Sequence, residues 1–209
     1  AGDTYFDIEG IVSGAGNDSI YGNTGANNLF GAGGNDNLFG GLGADGHYGG
    51  TGFDYARYDD ANYGNLVISL INPASNTGAA AGDTYFDIEG IISGAGNDTI
   101  FGNGAANNLF GGGGNDSIHG GHGADLHNGG AGIDYARYDD AAYGSLVISM
   151  ANPASNTGAA AGDTYVDIEG IIGGAGNDTI TGNGNANNLF GAGGNDNLFG
   201  GLGADGHYG

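Results

Sequence analysis

The chain has 209 residues, of which 51 are glycine, 24 are acidic and only two are basic, giving a formal net charge of −22 at pH 7. This balance excludes nucleic acid as a partner, because phosphate binding requires a basic surface, and it favours a cation instead. The absence of cysteine excludes disulfides and zinc-thiolate sites as stabilising elements. No apolar run reaches the length of about 18 residues that predicts a membrane span.

The sequence repeats with an outer period of 80 residues. The segment AGDTYFDIEGI begins at Ala1 and at Ala81, and AGDTYVDIEGI begins at Ala161. The third copy stops within a motif at Gly209, which indicates a piece of a longer array. Because the acidic residues recur at fixed distances from glycines, they indicate ordered structure rather than a disordered, solvated segment.

Within each unit the sequence also repeats every nine residues. Residues 13–57 contain five consecutive blocks, SGAGNDSIY, GNTGANNLF, GAGGNDNLF, GGLGADGHY and GGTGFDYAR. Five more blocks cover residues 93–137, and four cover residues 173–208. Each block is interpreted as a six-residue turn followed by a three-residue strand whose middle residue points inward. In the first unit the inward residues are Ile20, Leu29, Leu38, His47 and Ala56.

These blocks resemble the nonapeptide G-G-x-G-x-D-x-U-x, with U a large apolar residue, of the RTX or haemolysin-type calcium-binding family. Block 49–57 matches the first six positions fully. The resemblance implies an all-β fold, a parallel β-roll or β-solenoid with Ca²⁺ bound in the turns between stacked coils. Each ion would take Asp carboxylates from two turns and backbone carbonyls near turn positions two and four, as at Gly14, Gly16, Gly50 and Gly52.

The resemblance also implies which turn residues bind calcium. Two blocks make one coil of about 18 residues, so alternate blocks stack on one edge, about 4.8 Å apart. In the first unit Asp18, Asp36 and Asp54 then line one edge, and Asn27 and Asp45 line the other. The equivalent residues of the later units are Asp98, Asn107, Asp116, Asp125, Asp134, Asp178, Asn187, Asp196 and Asp205. The neutral oxygen of Asn predicts weaker sites.

An alternative is that these aspartates only cap glycine-rich turns. Stacked carboxylates would repel one another in the absence of a cation, which favours the calcium interpretation. The few inward side chains form a thin core, so we expect folding to be coupled to Ca²⁺ binding. Extracellular calcium modules have Kd values on the order of 10⁻⁴ to 10⁻³ M, which suits a secreted chain that folds outside the cell.

Residues 58–92 and 138–172 connect one set of blocks to the next, and residues 1–12 are interpreted as the end of a preceding connector. Leu66, Ile68 and Leu70 alternate as in a strand with one buried face, and Ile88 and Ile91 are expected to point inward. Because 35 residues are close to two coils of 18, we expect each connector to continue the solenoid as coils with less regular turns.

The first connector also carries five carboxylates, at Asp59, Asp60, Asp83, Asp87 and Glu89. They are either solvated surface charge or ligands of additional Ca²⁺. The first candidates as ligands are Asp83 and Glu89, together with the equivalent Asp163 and Glu169 of the second connector.

Five histidines remain to be explained. His47, His127 and His207 occupy the inward position of the fourth block in each unit, so we expect them to pack against tyrosines rather than to bind zinc. His119 and His122 occur in one unit only, and the sequence shows no cluster of ligands to support them.

The sequence contains no zinc-protease HExxH, no GxSxG nucleophile elbow and no P-loop lysine motif, so we predict no catalytic residue and no enzyme activity. Near-identical long repeats favour a structural role in an extracellular fibre, adhesin stalk or surface-layer protein that self-associates into a fibre or lattice. The alternative is a calcium-dependent secretion and folding module of a larger RTX toxin, protease or lipase.

Overall fold

The computed structural model of the protein describes residues 8–140 and 143–209. Residues 1–7 of the predicted preceding connector, 1–12, therefore lie outside the described residues. Within the described ranges every strand pairs in parallel and no α-helix occurs, so the fold is the all-β solenoid that the sequence predicts. No helix of these residues is long and apolar enough to cross a membrane.

The chain alternates between two sheets in the first unit. The strands are β1 (Gly10–Ala15), β2 (Ser19–Tyr21), β3 (Asn28–Gly33), β4 (Asn37–Phe39), β5 (Gly46–Thr51) and β6 (Tyr55–Arg57). Gly10 of β1 pairs with Asn28 of β3, and Ser19 of β2 pairs with Asn37 of β4. Paired residues are 18 positions apart, which confirms that two blocks form one coil.

The turns require glycine because successive coils stack closely. Gly34 has a φ of 111°, and a Cβ at this position would collide with the carbonyl oxygen of Gly16, one coil earlier. Gly52 has a φ of 139° and lies in the same way against the carbonyl oxygen of Gly34. In these two turns position four therefore excludes a side chain for two reasons, backbone conformation and space.

The core lies between the two sheets and is one side chain deep on each side. The middle residues of the strands are at most 4% exposed, and they are the predicted Ile20, Leu29, Leu38, His47 and Ala56. A single inward side chain per strand gives little apolar burial, because the flanking strand residues face outward.

The first connector adds one coil to the existing sheets and begins a new sheet. It contains β7 (Val67–Ser69), 3₁₀ turns at Pro73–Ser75 and Gly78–Ala80, β8 (Thr84–Phe86) and β9 (Gly90–Ile92). Strand β8 pairs with β5, and β9 pairs with β6. Strand β7 pairs instead with β10 (Thr99–Phe101), the first strand of the second unit.

The prediction that the connector forms two coils is wrong, because it forms one enlarged coil. Tyr55 of β6 pairs directly with Gly90 of β9, a separation of 35 residues against 18 in a regular coil. The additional residues form β7 and the two 3₁₀ turns. The buried side chain of Asn76 holds this excursion, since its Oδ1 accepts a 2.8 Å hydrogen bond from the N–H of Ser69.

The later part of the chain repeats this arrangement. Its strands are β11 (Asn108–Gly113), β12 (Ser117–His119), β13 (Leu126–Ala131), β14 (Tyr135–Arg137), β15 (Val147–Ser149), β16 (Thr164–Val166), β17 (Gly170–Gly174), β18 (Thr179–Thr181), β19 (Asn188–Ala192), β20 (Asn197–Phe199) and β21 (Gly206–Tyr208). Four sheets result. Their strand orders are β1-β3-β5-β8 in sheet 1, β2-β4-β6-β9-β11-β13-β16 in sheet 2, β7-β10-β12-β14-β17-β19-β21 in sheet 3 and β15-β18-β20 in sheet 4.

Consecutive units share a sheet and differ by half a turn. Five blocks make two and a half coils, so equivalent blocks fall on opposite sides, with Leu29 in sheet 1 and Leu109 in sheet 2. Sheet 2 buries the middle residue of its strands in both units, for example Leu38 and Leu109. Sheets 1 and 3 therefore cover the same face of sheet 2, and the solenoid continues from unit to unit with a half-turn rotation.

Candidate metal centre

The last residue of each turn forms a ladder of hydrogen bonds along one edge of the solenoid. The backbone N–H of Asp18 donates to Oδ1 of Asp36 at 2.8 Å, and that of Asp36 donates to Oδ1 of Asp54 at 2.7 Å. The N–H of Asp54 continues the ladder to Oε2 of Glu89 at 2.9 Å. The structure thus places these three aspartates in one column and adds a connector carboxylate to it.

The opposite edge carries a second ladder. The N–H of Asn27 donates to Oδ1 of Asp45 at 2.7 Å, and the N–H of Asp45 donates to Oδ1 of Asp83 at 2.7 Å. Asp163 and Glu169 occupy the equivalent positions in the second connector, with hydrogen bonds from Asp125 and Asp134. All four connector carboxylates singled out in the sequence therefore extend the turn ladders.

The Asp-rich column changes edge from one unit to the next. The ladder from Asp98 to Asp116 to Asp134 lies in turns that leave sheet 2, which is the edge of Asn27 and Asp45. This follows from the half-turn between units. The sequence predicts a stronger, Asp-rich edge and a weaker, Asn-containing edge within each unit, and in the folded chain each edge of the solenoid alternates between the two kinds of column.

The second carboxylate oxygen of these aspartates is buried and has no hydrogen-bond partner. This holds for Oδ2 of Asp36, Asp45, Asp54, Asp98, Asp116, Asp125, Asp134, Asp178 and Asp196. Burial disfavours the charged carboxylate and raises the pKa of Asp116 and of Asp125 to about 7. A column of buried carboxylate oxygens that accept no hydrogen bond favours a bound cation, because the cation contacts these oxygens and neutralises their negative charge.

Backbone oxygens lie next to these carboxylates, at the glycine in position one of the turn. A Cβ at Gly31 would lie 2.7 Å from the carbonyl oxygen of Gly49 and closer still to Oδ2 of Asp36. A Cβ at Gly49 would lie 2.5 Å from Oδ2 of Asp54. Ca²⁺ is bound by six to eight oxygen ligands, mostly from carboxylate and carbonyl groups. The residues present therefore fit this ion.

The position-one carbonyl is a candidate calcium ligand that the sequence did not predict. Its signal was the glycine at position one, which leaves room beside the carboxylate. The carbonyls at positions two and four stack in columns of their own, as Gly50 lies against the carbonyl oxygen of Ala32 and Gly52 against that of Gly34. Gly14 and Gly16 hold these positions in the first turn.

The turns that end in asparagine have a different geometry. Oδ1 of Asn107 accepts a 2.7 Å hydrogen bond from the N–H of Asn103 in its own turn, and its Nδ2 donates to the carbonyl oxygen of Glu89 at 3.2 Å. Asn27 and Asn187 direct Oδ1 to their own turns in the same way. The only side-chain oxygen of these residues is therefore already hydrogen-bonded.

Asp83 also differs from the block aspartates, because both of its oxygens have partners. The hydroxyl of Tyr58 donates to its Oδ2 at 2.6 Å, and the hydroxyls of Tyr58 and Tyr85 lie 2.6 Å apart. Desolvation raises the pKa of Asp83 to about 7. Asp163 and Tyr138 repeat the arrangement in the second connector.

The inward histidines pack against tyrosines, as predicted for His47 and His127. The ring of His47 stacks on Tyr85 with centroids 5.4 Å apart, and burial lowers its pKa to about 4. The ring of His127 stacks on Tyr165 at 5.5 Å. His207 lies in the last strand, β21, and is exposed, contrary to the expectation; the described residues contain no tyrosine placed against it as Tyr85 is against His47.

Two further connector carboxylates, Asp59 and Asp60, have local partners. Asp59 forms an ion pair with Arg57 at 2.5 Å, and Oδ1 of Asp60 accepts a 3.2 Å hydrogen bond from Tyr63. Across residues 8–140 and 143–209, no three His, Cys, Asp or Glu side chains come together in a geometry that could hold a metal. A cation in the turns would therefore depend on backbone carbonyls as well as on carboxylates.

Comparison with protein families matches the RTX calcium-binding nonapeptide repeat in four copies, at residues 12–46, 91–116, 101–136 and 172–206. Together these copies cover more than half of the chain. The chain belongs to the RTX calcium-binding repeat family. This RTX chain is accordingly a calcium-binding repeat module, and the repeat that defines the family is a structural element rather than a catalytic one. No curated protein matches the chain.

Proposed function

We propose that this RTX chain binds several Ca²⁺ ions between stacked turns on both edges of the solenoid. The observation that carries the proposal is the set of buried Oδ2 atoms without hydrogen-bond partners. The proposed ligands are the turn carboxylates of Asp18, Asp36, Asp45, Asp54, Asp98, Asp116, Asp125, Asp134, Asp178, Asp196 and Asp205, with neighbouring glycine carbonyls. Asn27, Asn107 and Asn187 mark weaker sites, and Glu89 and Glu169 extend the ladders.

Calcium binding and folding are coupled in this proposal. The metal-free fold must hold buried carboxylates such as Asp116 next to Asp98 and Asp134 in a chain with a net charge of −22. The thin core offers little apolar burial to offset that repulsion and the conformational entropy of the chain. A cation between the turns removes the repulsion and supplies the missing contacts, so that its binding free energy contributes directly to folding.

The test is a calcium titration of metal-free protein followed by far-UV circular dichroism. We expect a weak β signal in excess chelator and a cooperative rise on addition of Ca²⁺, with a smaller response to Mg²⁺ because that ion requires stricter octahedral geometry. A full β signal in chelator would contradict coupled folding. Isothermal titration of the folded state would then show separately whether the ions bind.

The role proposed for the folded module is structural, in an extracellular fibre, adhesin stalk or surface-layer protein. We divide the chain into rolls at 13–57, 93–137 and 173–209, with connectors at 58–92 and 138–172. This role is supported because one sheet runs through each connector, sheet 2 through the first and sheet 3 through the second. Sheet 2 has seven strands, from β2 in the first unit to β16 in the second connector. A sheet shared between consecutive units favours a stiff rod over a string of separate domains.

Self-association through Ca²⁺ and outward-facing aromatic side chains is part of the same proposal. On the outer face of sheet 1, Phe30 stacks on Tyr48 and Tyr48 stacks on Phe86, with centroids 4.4 and 4.7 Å apart. Phe86 remains 49% exposed. An exposed aromatic ladder can pack against a second copy while Ca²⁺ screens the acidic surfaces, and no catalytic role is proposed.

Electron microscopy of the protein in chelator and in millimolar Ca²⁺ tests the structural role. We expect calcium-dependent rods or lattices, which a Phe86→Ser variant would form less readily while keeping its circular dichroism spectrum. Short, unassociated particles at all calcium concentrations would contradict self-association. They would favour a calcium-dependent folding module of a larger secreted protein instead.

A further inference from the structure

The second unit differs from its neighbours at two outward positions near the second connector. His119 stands where the first and third units have Phe39 and Phe199. His122 stands where they have Leu42 and Leu202. The sequence shows no ligands to support these histidines, but the structure brings a carboxylate of the second connector next to them.

That carboxylate is Asp140. Its Oδ1 lies 3.6 Å from Nδ1 of His119. His119 is only 6% exposed and its ring stacks on Phe101 with centroids 4.3 Å apart, which fixes the orientation of the imidazole. Nδ1 is buried and has no hydrogen-bond partner. The side chain of Asp140 is 21% exposed and can adjust its position.

His119, His122 and Asp140 line one pocket. It has a volume of about 170 Å³, and Ile71, Phe101 and Tyr143 form much of the remaining wall. The ring of His122 lies edge-on to Tyr143 at 5.2 Å, and this histidine is exposed. The pocket therefore brings together the buried imidazole of His119, the partly exposed carboxylate of Asp140 and the exposed imidazole of His122.

We propose that this pocket binds a divalent transition-metal ion of the Zn²⁺ class, a site separate from the calcium turns. The ligands would be Nδ1 of His119, the carboxylate of Asp140 and the imidazole of His122. Imidazole nitrogen is a good ligand for Zn²⁺, Cu²⁺ and Ni²⁺, whereas Ca²⁺ takes oxygen ligands. The second unit would then carry a metal specificity that the first and third units lack.

The distances fit with small movements. Two ligands at about 2.0 to 2.1 Å from a tetrahedral ion lie roughly 3.3 Å apart. The separation of 3.6 Å between His119 and Asp140 is therefore close to the value required. His122 must turn its exposed side chain from Tyr143 towards the other two ligands. No three side chains already have a metal-binding geometry in the described part of the chain, so the proposed site depends on this movement.

The chain supplies its own control substitutions. His119→Phe and His122→Leu each install the residue that other units already carry at the equivalent position, so both variants are expected to fold. His207→Ala removes an exposed histidine outside the pocket. Asp140→Asn keeps the shape of the side chain and removes its charge.

The experiment is a Zn²⁺ titration by calorimetry in saturating Ca²⁺, so that the acidic turns are already occupied. We expect one Zn²⁺ per wild-type chain, no stoichiometric uptake by His119→Phe, weaker uptake by His122→Leu and Asp140→Asn, and unchanged uptake by His207→Ala. In NMR spectra the imidazole resonances of both His119 and His122 should shift on addition of Zn²⁺.

Two results would overturn the proposal. One is the absence of stoichiometric Zn²⁺ uptake by the wild type, which would mean that His119 and Asp140 only contact each other. The other is the same uptake by His119→Phe as by the wild type. Circular dichroism in Ca²⁺ reports folding independently, so failure of the zinc site is distinguishable from failure of the calcium-binding proposal.

Discussion

The backbone N–H of Asp98 donates a 2.8 Å hydrogen bond to Oδ1 of Asp116, the equivalent residue one coil further along the solenoid. The other oxygen of Asp116, Oδ2, is buried and has no hydrogen-bond partner. Oδ1 of Asp116 thus links two coils by a hydrogen bond, and Oδ2 is available to bind a cation. An aspartate can make both interactions because it has two carboxylate oxygens, whereas an asparagine has a single side-chain oxygen and can make only one.

Replacing Asn187 by Asp should therefore strengthen calcium binding. Nδ2 of Asn187 is buried without a hydrogen-bond partner, so the exchange for an oxygen removes no hydrogen bond and adds a charged ligand. Isothermal titration with Ca²⁺ should give a lower Kd for Asn187→Asp than for the wild type. Asn185→Asp adds the same charge at an exposed position of the same turn and should change the Kd much less.

Substitution by alanine should have different effects on stability and calcium binding at two glycines of the same turn. A Cβ at Gly111 would collide with Oδ2 of Asp116, whereas a Cβ at Gly113 would meet no atom within 4 Å. We expect Gly111→Ala to lower the free energy of unfolding by about 1–3 kcal/mol and to raise the calcium midpoint. Gly113→Ala should behave like the wild type, since Ala95 and Ala131 already occupy the neighbouring positions in register. Equal calcium titrations for the two variants would argue against a site at position one.

Calcium binding should weaken in acid. The pKa of Asp116 and of Asp125 is raised by burial to about 7, above the ordinary value for an aspartate. A raised carboxylate pKa means that protonation favours the metal-free fold, whose stability falls as pH rises through about 7. Ca²⁺ requires the deprotonated carboxylates. Titrations near pH 5.5 and pH 8 should show tighter binding at the higher pH, with protons released near pH 6.5, whereas a pH-independent Kd would contradict buried carboxylate ligands.

The tyrosine network of the first connector should contribute to stability. Tyr58→Phe removes the buried hydroxyl that donates to Oδ2 of Asp83 at 2.6 Å and leaves that oxygen without its partner. We expect a loss of about 1–3 kcal/mol in chemical unfolding in the presence of Ca²⁺. Tyr63→Phe removes a hydroxyl that bonds the exposed Asp60, and its effect should stay within about 0.5 kcal/mol. If both variants lost the same free energy of unfolding, the buried hydroxyl of Tyr58 would contribute no more to stability than the exposed one of Tyr63.

Local patterns made much of the fold predictable from the sequence. The nine-residue period predicts the turn, the short strand and the inward residue, and Leu29 and Leu38 are buried as expected. The connector was not predictable in the same way. Its length of 35 residues suggested two coils, but the pairing of Tyr55 with Gly90 shows one, because length alone does not reveal which strands become neighbours.

The sequence by itself determined the 18-residue coil, the positions of the turn carboxylates and the thin core, since each depends on spacing within a few blocks. Only the tertiary structure decided that the Asp-rich column changes edge between units, because five blocks end on a half coil and the connector adds one full coil, which returns the chain to the same sheet. The first connector also brings Glu89 into a turn ladder, and the second brings Asp140 next to His119. Contacts of this kind join residues that no repeat period relates, so they exist only once the chain is folded.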